Sequence, residues 1–269
     1  MNHANSKSNL EETLEAVASG ATSPKSAAER LMAGEVRYLD DFAVLDAGRS
    51  IRKGVPEVVY AAGKSPAQVA RICSSLLEGD GRVIVSSFSA EHESEIQRVL
   101  PEVPIRTAGR SFVVGYGRPV PSGGRLGAVS GGTSDLAALD EALAVAEEMG
   151  VSTRSYPDVG VAGIHRLITP LQELEAFDPD CLIVAAGMEG ALPSVVSGLV
   201  SVPVIGLPTS TGYGLGGDGT AAILGMLQSC SPGLSVVNID NGVGAGATAA
   251  LIANRAAMAR AGRNGQYSS

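Results

Sequence analysis

The chain has 269 residues, a formal net charge of −8 and 45% hydrophobic residues, enough for two modest domains or one large one. The acidic balance, the absence of Trp and the 4% aromatic content argue against a nucleic-acid-binding surface. No apolar stretch is long enough to span a membrane, and three widely spaced cysteines do not make a disulfide framework. Because the N-terminal residues lack an apolar export segment, we expect a cytoplasmic protein with reduced thiols.

The first part of the chain predicts a small α/β domain. Residues 23–34 and 65–79 each show a helix with a Ser cap, Pro at the first position and Gly at the end. The runs FAVLD, EVVYAAG, RVIVSSF and RSFVVGY predict strands. A stretch rich in Gly and Pro, GRPVPSGG, is typical of a linker. We therefore predict an N-terminal domain over 1–117, a linker over 118–124 and a second domain over 125–269.

The second domain alternates short apolar runs with glycine-rich turns and amphipathic helical patterns. The predicted strands are LGAVS, STRSYP, CLIVAAG, PVIGLP and LSVVNID. Strands that alternate with helices form βαβ units around a parallel sheet. The turns after the strands (SGGTSD, DVGVAG, GMEGALP, TSTGYGLGGDG and NGVGAG) then meet at the carboxyl edge of the sheet, where ligands bind.

The SGGTSD turn is suited to an anion. Its backbone N–H groups and the hydroxyls of Ser130, Thr133 and Ser134 can hold a phosphate at the start of the next helix. The same residues are also typical helix caps, with Asp135 favourable to the helix dipole, so both roles stay open. The turn is not a P-loop, which would need a Lys after its glycines.

Two further turns carry charged side chains. His165 and Arg166 in GIHRL lie at a predicted helix start, where the dipole disfavours cations. A site for anionic substrate groups and a solvated surface pair explain them equally well. Glu189 follows the most apolar strand and can accept a proton if burial raises its pKa, although it is equally acceptable as a plain helix-start acid. Asp240 in NIDNG is a turn former or a ligand, and no His/Cys spacing is typical of zinc.

The cysteines differ in their surroundings. Cys73 lies on the apolar face of a predicted helix, and Cys181 opens a strand at the amino edge, so both are expected to be structural. Cys230 follows an apolar helix just before a Pro-Gly stop. Its helix runs toward the amino edge, and a helix C-terminus raises the pKa of a thiol. Spacing alone therefore favours a structural role for Cys230 as well.

The second domain resembles the aminoimidazole ribonucleotide carboxylases of purine synthesis. The resemblance lies in SGGTSD, in GIHRL and in AAGMEGALPSVVSGLVSVPVIGLP. It implies a flavodoxin-like three-layer α/β fold and an octameric assembly. Those enzymes carry a catalytic His before Leu-Pro, where this chain has Ala191.

The whole chain is more similar to the LarB family, carboxylase/hydrolases that begin synthesis of the nickel-pincer nucleotide cofactor of lactate racemase. The matching stretches are LDAGRSIRKGVPEVVYAAGKS, SGGTSD, YPDVGVAGIHRL, AAGMEGALPSVVSGLVSVPVIGLPTSTGYG, MLQSC and VVNIDNGVGAG, in order along the chain. This resemblance implies that the enzyme carboxylates the pyridinium ring of nicotinic acid adenine dinucleotide with CO₂ and cleaves the phosphoanhydride. The implied products are pyridinium-3,5-biscarboxylic acid mononucleotide and AMP.

The resemblance also assigns roles to residues. It makes Cys230 and Glu189 the catalytic pair, with Cys230 adding transiently to the ring. Substrate-binding residues are then expected in both domains: Arg52, Lys64, Ser130, Thr133, Ser134, Asp135, His165, Arg166, Gly187 and Asp240. Hydrolysis of the anhydride is expected to use Mg²⁺, with Asp135 or Asp240 as ligand candidates, and no organic cofactor.

Alternatives to this function remain. One is an aminoimidazole ribonucleotide carboxylase or mutase, against which Ala191 and the additional first domain count. Another is a nucleotide-binding module without turnover. The expected partners are a small dinucleotide substrate and further copies of the chain, with no nucleic acid and no membrane.

Overall fold

The computed structural model describes residues 13–34, 36–39 and 42–266, of which 13–18 are helical. The strands are β1 (Arg37–Leu39), β2 (Ala43–Leu45), β3 (Val58–Tyr60), β4 (Arg82–Ser86), β5 (Ile105–Ala108), β6 (Ser111–Gly115), β7 (Arg125–Ser130), β8 (Ser152–Tyr156), β9 (Cys181–Ala186), β10 (Val204–Pro208) and β11 (Leu234–Val236). The helices are α1 (Pro24–Ala33), α2 (Arg49–Lys53), α3 (Pro66–Asp80), α4 (Ala90–Val99), α5 (Leu136–Glu148), α6 (Ile168–Phe177), α7 (Ala191–Ser197), α8 (Thr220–Leu227) and α9 (Gly242–Gln266). Short 3₁₀ helices, Thr133–Asp135 and Val161–Leu167, precede α5 and α6.

The C-terminal domain is a flavodoxin-like three-layer sandwich around a parallel sheet. Its strands lie in the order β11-β10-β9-β7-β8, and every adjacent pair is parallel. The order reverses between β7 and β9, and ligands bind at such a switch point beyond the carboxyl ends of the strands. Because β9 and β10 are buried on both faces, they consist almost entirely of apolar residues.

Each face of this sheet has its own core. One buried cluster joins the sheet to α5 and α9, with Leu139 and Ala249 as fully buried members. The other joins the sheet to α6, α7 and α8, with Leu174, Val196 and Met226 at its centre. Alanines and glycines line the contact between α5 and α9, which lets these two helices pack closely.

The N-terminal domain is smaller and has a mixed sheet in the order β3-β4-β6-β5, beside the short hairpin β1-β2. The β3-β4 pair is parallel, whereas β4-β6 and β5-β6 are antiparallel. Helix α3 begins with a capping box in which Ser65 and Gln68 satisfy each other's backbone N–H groups. Its apolar face buries Val69 and Cys73 against the sheet.

Helix α5 connects the two domains because it packs on both sheets. An apolar cluster with Ile84, Val113 and Val145 spans the boundary. Polar contacts frame it: Arg82 pairs with Glu148 at 2.7 Å. The N-terminal domain is thus held against the helix that begins at the SGGTSD turn.

The structure confirms the predicted α/β fold and modifies some predicted elements. Strands β1 and β5 were not predicted, because they are short and pair only at the edges of their sheets. The last strand was expected to reach residue 240 but ends at Val236. His165 and Arg166, expected at the start of a helix, lie instead in the 3₁₀ helix before α6. Among the described residues, no helix is both long enough and apolar enough to cross a membrane.

Candidate active site

A cavity of about 420 Å³ lies at the carboxyl edge of the C-terminal sheet, around the switch point. The turns after β7, β8, β9 and β10 all contribute to it. It contains several of the predicted site residues: Ser134, Asp135, Arg166, Gly187 and Glu189. We refer to it below as the site cavity.

Asp135 ties the turns of the site cavity together. The side chain is buried, and its Oδ1 accepts hydrogen bonds of 2.6 Å from the hydroxyls of both Thr209 and Thr211. Its Oδ2 accepts a hydrogen bond of 2.8 Å from the N–H of Gly132. The turn after β7 is thereby fixed to the turn after β10. Asp135 thus acts on the loop backbone, not as the simple helix-dipole acid that the sequence suggested.

Thr211 also fixes the turn after β9. A Cβ at Gly187 would lie 1.9 Å from the Thr211 carbonyl oxygen, so only glycine permits this approach. The same carbonyl accepts a hydrogen bond from the N–H of Met188. Met188 has a φ of 50°, an uncommon conformation for a residue with a side chain, and strain of this kind is often found at functional sites. Thr209 and Thr211 were not singled out from the sequence, although TST directly follows a buried strand.

Arg166 provides the cation of the site cavity. Its Nη1 pairs with Oδ2 of Asp158 at 2.9 Å, and both side chains are exposed to solvent. Asp158 follows β8 with a φ of 57°. His165 is exposed but does not line the cavity. Since a guanidinium has five N–H donors and the pair uses one of them, Arg166 retains donors for an anion in the cavity.

The remaining hydroxyls of the SGGTSD turn have different positions. Ser134 is exposed on the cavity wall, whereas Thr133 is exposed outside it. Ser130 is fully buried at the end of β7, where its Oγ accepts a hydrogen bond from the N–H of Asp158. Ser130 is therefore placed to brace the turn after β8 and does not face the cavity.

Glu189 and Ala191 lie side by side on the wall of the site cavity. Glu189 is exposed within one subunit. Ala191 begins α7, at the position for which the resemblance to the purine carboxylases implies a histidine. The cavity consequently has a carboxylate in the turn after β9 but no imidazole at that point.

Cys230 is the exposed thiol of this chain. Cys73 and Cys181 are buried, and burial raises the pKa of each to about 12, so both are inert at neutral pH. Cys230 follows the end of α8, and its neighbour Ser231 donates a hydrogen bond of 2.8 Å to the Ser194 carbonyl in the middle of α7. It precedes β11 and so lies toward the amino edge, outside the lining of the site cavity.

Helix α8 nevertheless links Cys230 to the glutamate. A Cβ at Gly225 would lie 2.1 Å from the carbonyl oxygen of Glu189, so the turn after β9 rests directly on this helix. Cys230 comes five residues later in the chain. Both side chains are exposed.

The remaining predicted residues lie away from the site cavity. Lys64 donates a hydrogen bond of 2.7 Å to the carbonyl of Tyr60, and Arg52 pairs with Asp46. Asp240 follows β11, where it accepts a hydrogen bond of 3.0 Å from the N–H of Ser210 and pairs with Arg110 at 2.9 Å. Burial raises the pKa of Asp240, but the hydrogen bonds from Ser210 and the Arg110 pair outweigh it and leave the pKa below its usual value.

The two carboxylates considered for Mg²⁺ do not fit a direct metal site. Asp135 has both oxygens engaged by hydroxyl and N–H donors, and those of Asp240 are engaged by Ser210 and Arg110. Within the described part of the chain, no group of three or more His, Cys, Asp or Glu side chains is arranged to hold a metal ion. Both carboxylates therefore hold the turns together and are not free to bind a metal ion directly.

Comparison with protein families places both halves of the chain. Residues 37–116 match the sequence model of the LarB/PurE-like N-terminal domain. Residues 125–264, about half of the chain, match the model of AIR carboxylase. The two matches flank the segment that was predicted to be a linker.

Individual proteins are similar either to the whole chain or to about half of it. An uncharacterized protein of Methanocaldococcus jannaschii is 37% identical over 256 residues, 91% of this chain and 97% of that protein. N5-carboxyaminoimidazole ribonucleotide mutases of Synechocystis and Thermotoga maritima are 35% and 29% identical, over 47% and 48% of this chain and 71% and 74% of their own lengths. The order of the two domains, the extent of the matches and the flavodoxin-like fold agree with the resemblance found in the sequence. The chain therefore belongs to the LarB family, in which a LarB/PurE-like N-terminal domain precedes an AIR carboxylase domain.

Proposed function

We propose that this protein carboxylates the pyridinium ring of nicotinic acid adenine dinucleotide and hydrolyses its phosphoanhydride. The observation that carries the proposal is the contrast among the cysteines: Cys230 is exposed beyond the helix that supports Glu189, while the other two are buried and inert. Family membership supports carboxylation or mutase chemistry. Ala191 argues against the histidine-dependent reaction of the purine enzymes.

The first chemical task is to make an electron-poor ring carbon nucleophilic. The Cys230 thiolate adds to the pyridinium ring, forming a C–S bond and moving an electron pair to the ring nitrogen. The neutral adduct contains an enamine, whose carbon attacks CO₂ to form a C–C bond and a new carboxylate. No oxidant or reductant is required, since the ring nitrogen takes and returns the electron pair.

The second task is to restore the aromatic ring. Glu189 removes the proton from the newly carboxylated carbon, and the electron pair returns to the ring system. Loss of the thiolate then regenerates the pyridinium cation. The cation itself favours the thiolate form of the nearby cysteine, because opposite charges stabilise each other.

Binding and hydrolysis involve the part of the site cavity that is suited to an anion. Ser134, the backbone of the SGGTSD turn and Arg166 are suited to a phosphate group. Water attacks a phosphorus atom of the anhydride and breaks the P–O–P bridge, releasing the carboxylated mononucleotide and AMP. Mg²⁺, which neutralises phosphate charge, remains an expectation for this step and would be bound through the substrate.

A homo-oligomer, an octamer by family resemblance, is part of the proposal. Cys230 lies toward the amino edge of its own sheet and Glu189 in a turn at the carboxyl edge. The outer layer around them exposes Leu199, Leu224 and Leu227. Such a surface suits burial against another copy, which would bring one subunit's thiol to the other's cavity.

The test is a product assay with ¹³C-labelled bicarbonate. The full-length protein is incubated with nicotinic acid adenine dinucleotide, labelled bicarbonate and Mg²⁺, and the products are weighed by mass spectrometry. The proposal expects a mononucleotide carrying one additional ¹³C carboxylate, together with AMP. Unchanged dinucleotide, or AMP released without carboxylation, would contradict it.

A parallel arm addresses the purine alternative, which the named mutases and the AIR carboxylase match favour. The same protein is incubated with aminoimidazole ribonucleotide or its N5-carboxylated form. Turnover here, and none with the dinucleotide, would establish a purine carboxylase or mutase despite Ala191. Binding without turnover in both arms would indicate a nucleotide-binding module.

A further inference from the structure

A second cavity, of about 620 Å³, lies between the two domains. The N-terminal domain contributes Arg49, Val58 and Arg110, and the C-terminal domain contributes Glu141 and the start of α9. It shares no lining residue with the site cavity. We call it the interdomain cavity.

The wall of this cavity contains a buried carboxylate with an unused oxygen. Glu141 is 3% exposed, and its Oε1 accepts hydrogen bonds of 2.6 Å from the hydroxyls of Ser86 and Ser111. Its Oε2 lies beside the start of α9, where a Cβ at Gly242 would be 2.7 Å away. Among the described residues, none donates a hydrogen bond to Oε2. Glu141 lines the cavity, so this unused oxygen is available to a ligand with O–H or N–H groups.

The same cavity is also lined by N–H groups that are not used in hydrogen bonds. Arg49 pairs with Glu57 at 3.1 Å and Arg110 pairs with Asp240 at 2.9 Å, which leaves several N–H groups on each guanidinium. In the described part of the chain, the N–H of Val243 in the first turn of α9 has no acceptor. Guanidinium groups beside a helix N-terminus suit a phosphate.

We propose that the interdomain cavity binds a ribose phosphate, with sugar hydroxyls donating to Glu141 and the phosphate accepting from Arg49, Arg110 and α9. Apolar side chains, among them Val55 and Val58, and the exposed ring of Tyr60 provide surfaces for an attached base. The adenylate half of the proposed dinucleotide supplies such a group, so the assignment rests on the proposed function.

The position of Asp240 supports this division of the substrate. Asp240 lines the interdomain cavity and holds the N–H of Ser210, while the next residue, Thr211, lines the site cavity. One turn thus separates the two compartments. A dinucleotide with its pyridinium half in the site cavity and its adenylate half between the domains places the anhydride at this turn.

The test is calorimetric titration of the full-length protein with AMP, ribose 5-phosphate and adenosine, in the absence of bicarbonate. Glu141→Gln keeps the side-chain volume but replaces the free acceptor, and it should weaken AMP and adenosine about 10-fold. Arg49→Ala should weaken AMP and ribose 5-phosphate by a similar factor and leave adenosine unchanged. Arg166→Ala, in the site cavity, should leave AMP affinity unchanged. Glu95→Gln is the matched control, because Glu95 pairs with Arg98 on α4, away from both cavities.

The outcomes separate clearly. Absence of AMP binding, equal AMP affinity in wild type, Glu141→Gln and Arg49→Ala, or loss of AMP binding in Arg166→Ala alone would overturn the assignment. If Glu141→Gln melts at a much lower temperature than wild type, the partially exposed Arg49→Ala variant decides. The titration contains no CO₂, so its result does not depend on carboxylation. If AMP binds as expected but the product assay yields no carboxylated product, the proposed function is contradicted and the assignment of the interdomain cavity still holds.

Discussion

The two edges of the C-terminal sheet are built differently. At the carboxyl edge, the turns are cross-linked through hydrogen bonds of Asp135 with Thr209, Thr211 and the N–H of Gly132. Toward the amino edge, Cys230 lies in a short segment anchored by Ser231 and exposed to solvent. The braced edge is suited to binding and orienting a substrate. The exposed edge is suited to delivering a reactive sulfur to a neighbouring surface.

The largest effect is expected from removing that sulfur. Cys230→Ser should lower carboxylation by about 10³-fold or more, since a hydroxyl at neutral pH is a far weaker nucleophile. Affinity for the dinucleotide should change little, because the braced edge is intact. The rate of labelled product formation is measured, and the affinity for the dinucleotide is measured by calorimetric titration. Cys73→Ala, at a buried and inert thiol, is the control and should retain turnover; equal activity in Cys230→Ser and wild type would remove the sulfur from the mechanism.

Mixing subunits tests whether the two edges act together across an interface. Cys230→Ser and Glu189→Gln should each be inactive alone. Co-expressed with different tags and purified as mixed oligomers, they should regain activity, because some interfaces then combine an intact thiol with an intact carboxylate. Mixed oligomers as inactive as either parent would show that both groups act within one subunit.

A smaller effect is expected from loosening the braced edge. Asp135→Asn preserves shape, but an amide cannot accept from both hydroxyls and from the N–H of Gly132 at once. One buried donor is left unsatisfied, at a cost of about 1–3 kcal/mol. Dinucleotide affinity should therefore fall by about 10-fold or more, measured by titration. Unchanged affinity together with an unchanged melting temperature would contradict the bracing role.

The smallest effect concerns the link between the domains. Because the pKa of Asp240 is lowered in the folded protein, its stabilising contribution is present above the unfolded pKa of about 3.9 and is lost as the pH falls through the lower folded value. Arg110→Ala removes this ion pair and should cost about 1 kcal/mol or less at neutral pH. The difference in melting temperature between variant and wild type should narrow below about pH 4.

Arg255→Ala provides the control for that pH series. Arg255 is exposed on α9 and has no ion pair in the structure described here. The difference in melting temperature between Arg255→Ala and wild type should not depend on pH in the same range. If the difference in melting temperature between Arg110→Ala and wild type stays constant from neutral to acidic pH, the ion pair between Arg110 and Asp240 contributes nothing to coupling the domains.

Much of the fold could be predicted from local patterns. The central strands β7, β9 and β10 could be predicted because a short apolar run bounded by glycine-rich turns is typical of a buried parallel strand. The edge strands β1 and β5 lack such a run. The meeting of Ser134, Arg166, Gly187 and Glu189 followed from the rule that turns after parallel strands share one edge.

Other features depend on contacts between distant residues. Glu141 looks like any helical acid in the sequence, and its burial arises only when β4 and β6 bring Ser86 and Ser111 against it. The inward orientation of Asp135 likewise depends on Thr209 and Thr211, more than seventy residues away. The role proposed for Cys230 could not be inferred from spacing and comes from the resemblance to a family.

The most direct test of the account is the mass of the intact protein after mixing with the dinucleotide in a CO₂-free buffer. Without CO₂ the adduct has no partner for the next step, so wild type should gain the mass of one dinucleotide per subunit, and peptide mapping should place it on Cys230. Cys230→Ser should gain nothing. A wild-type protein that forms labelled product in the full reaction but never carries the added mass, or carries it at another residue, would contradict the proposed sulfur–ring bond.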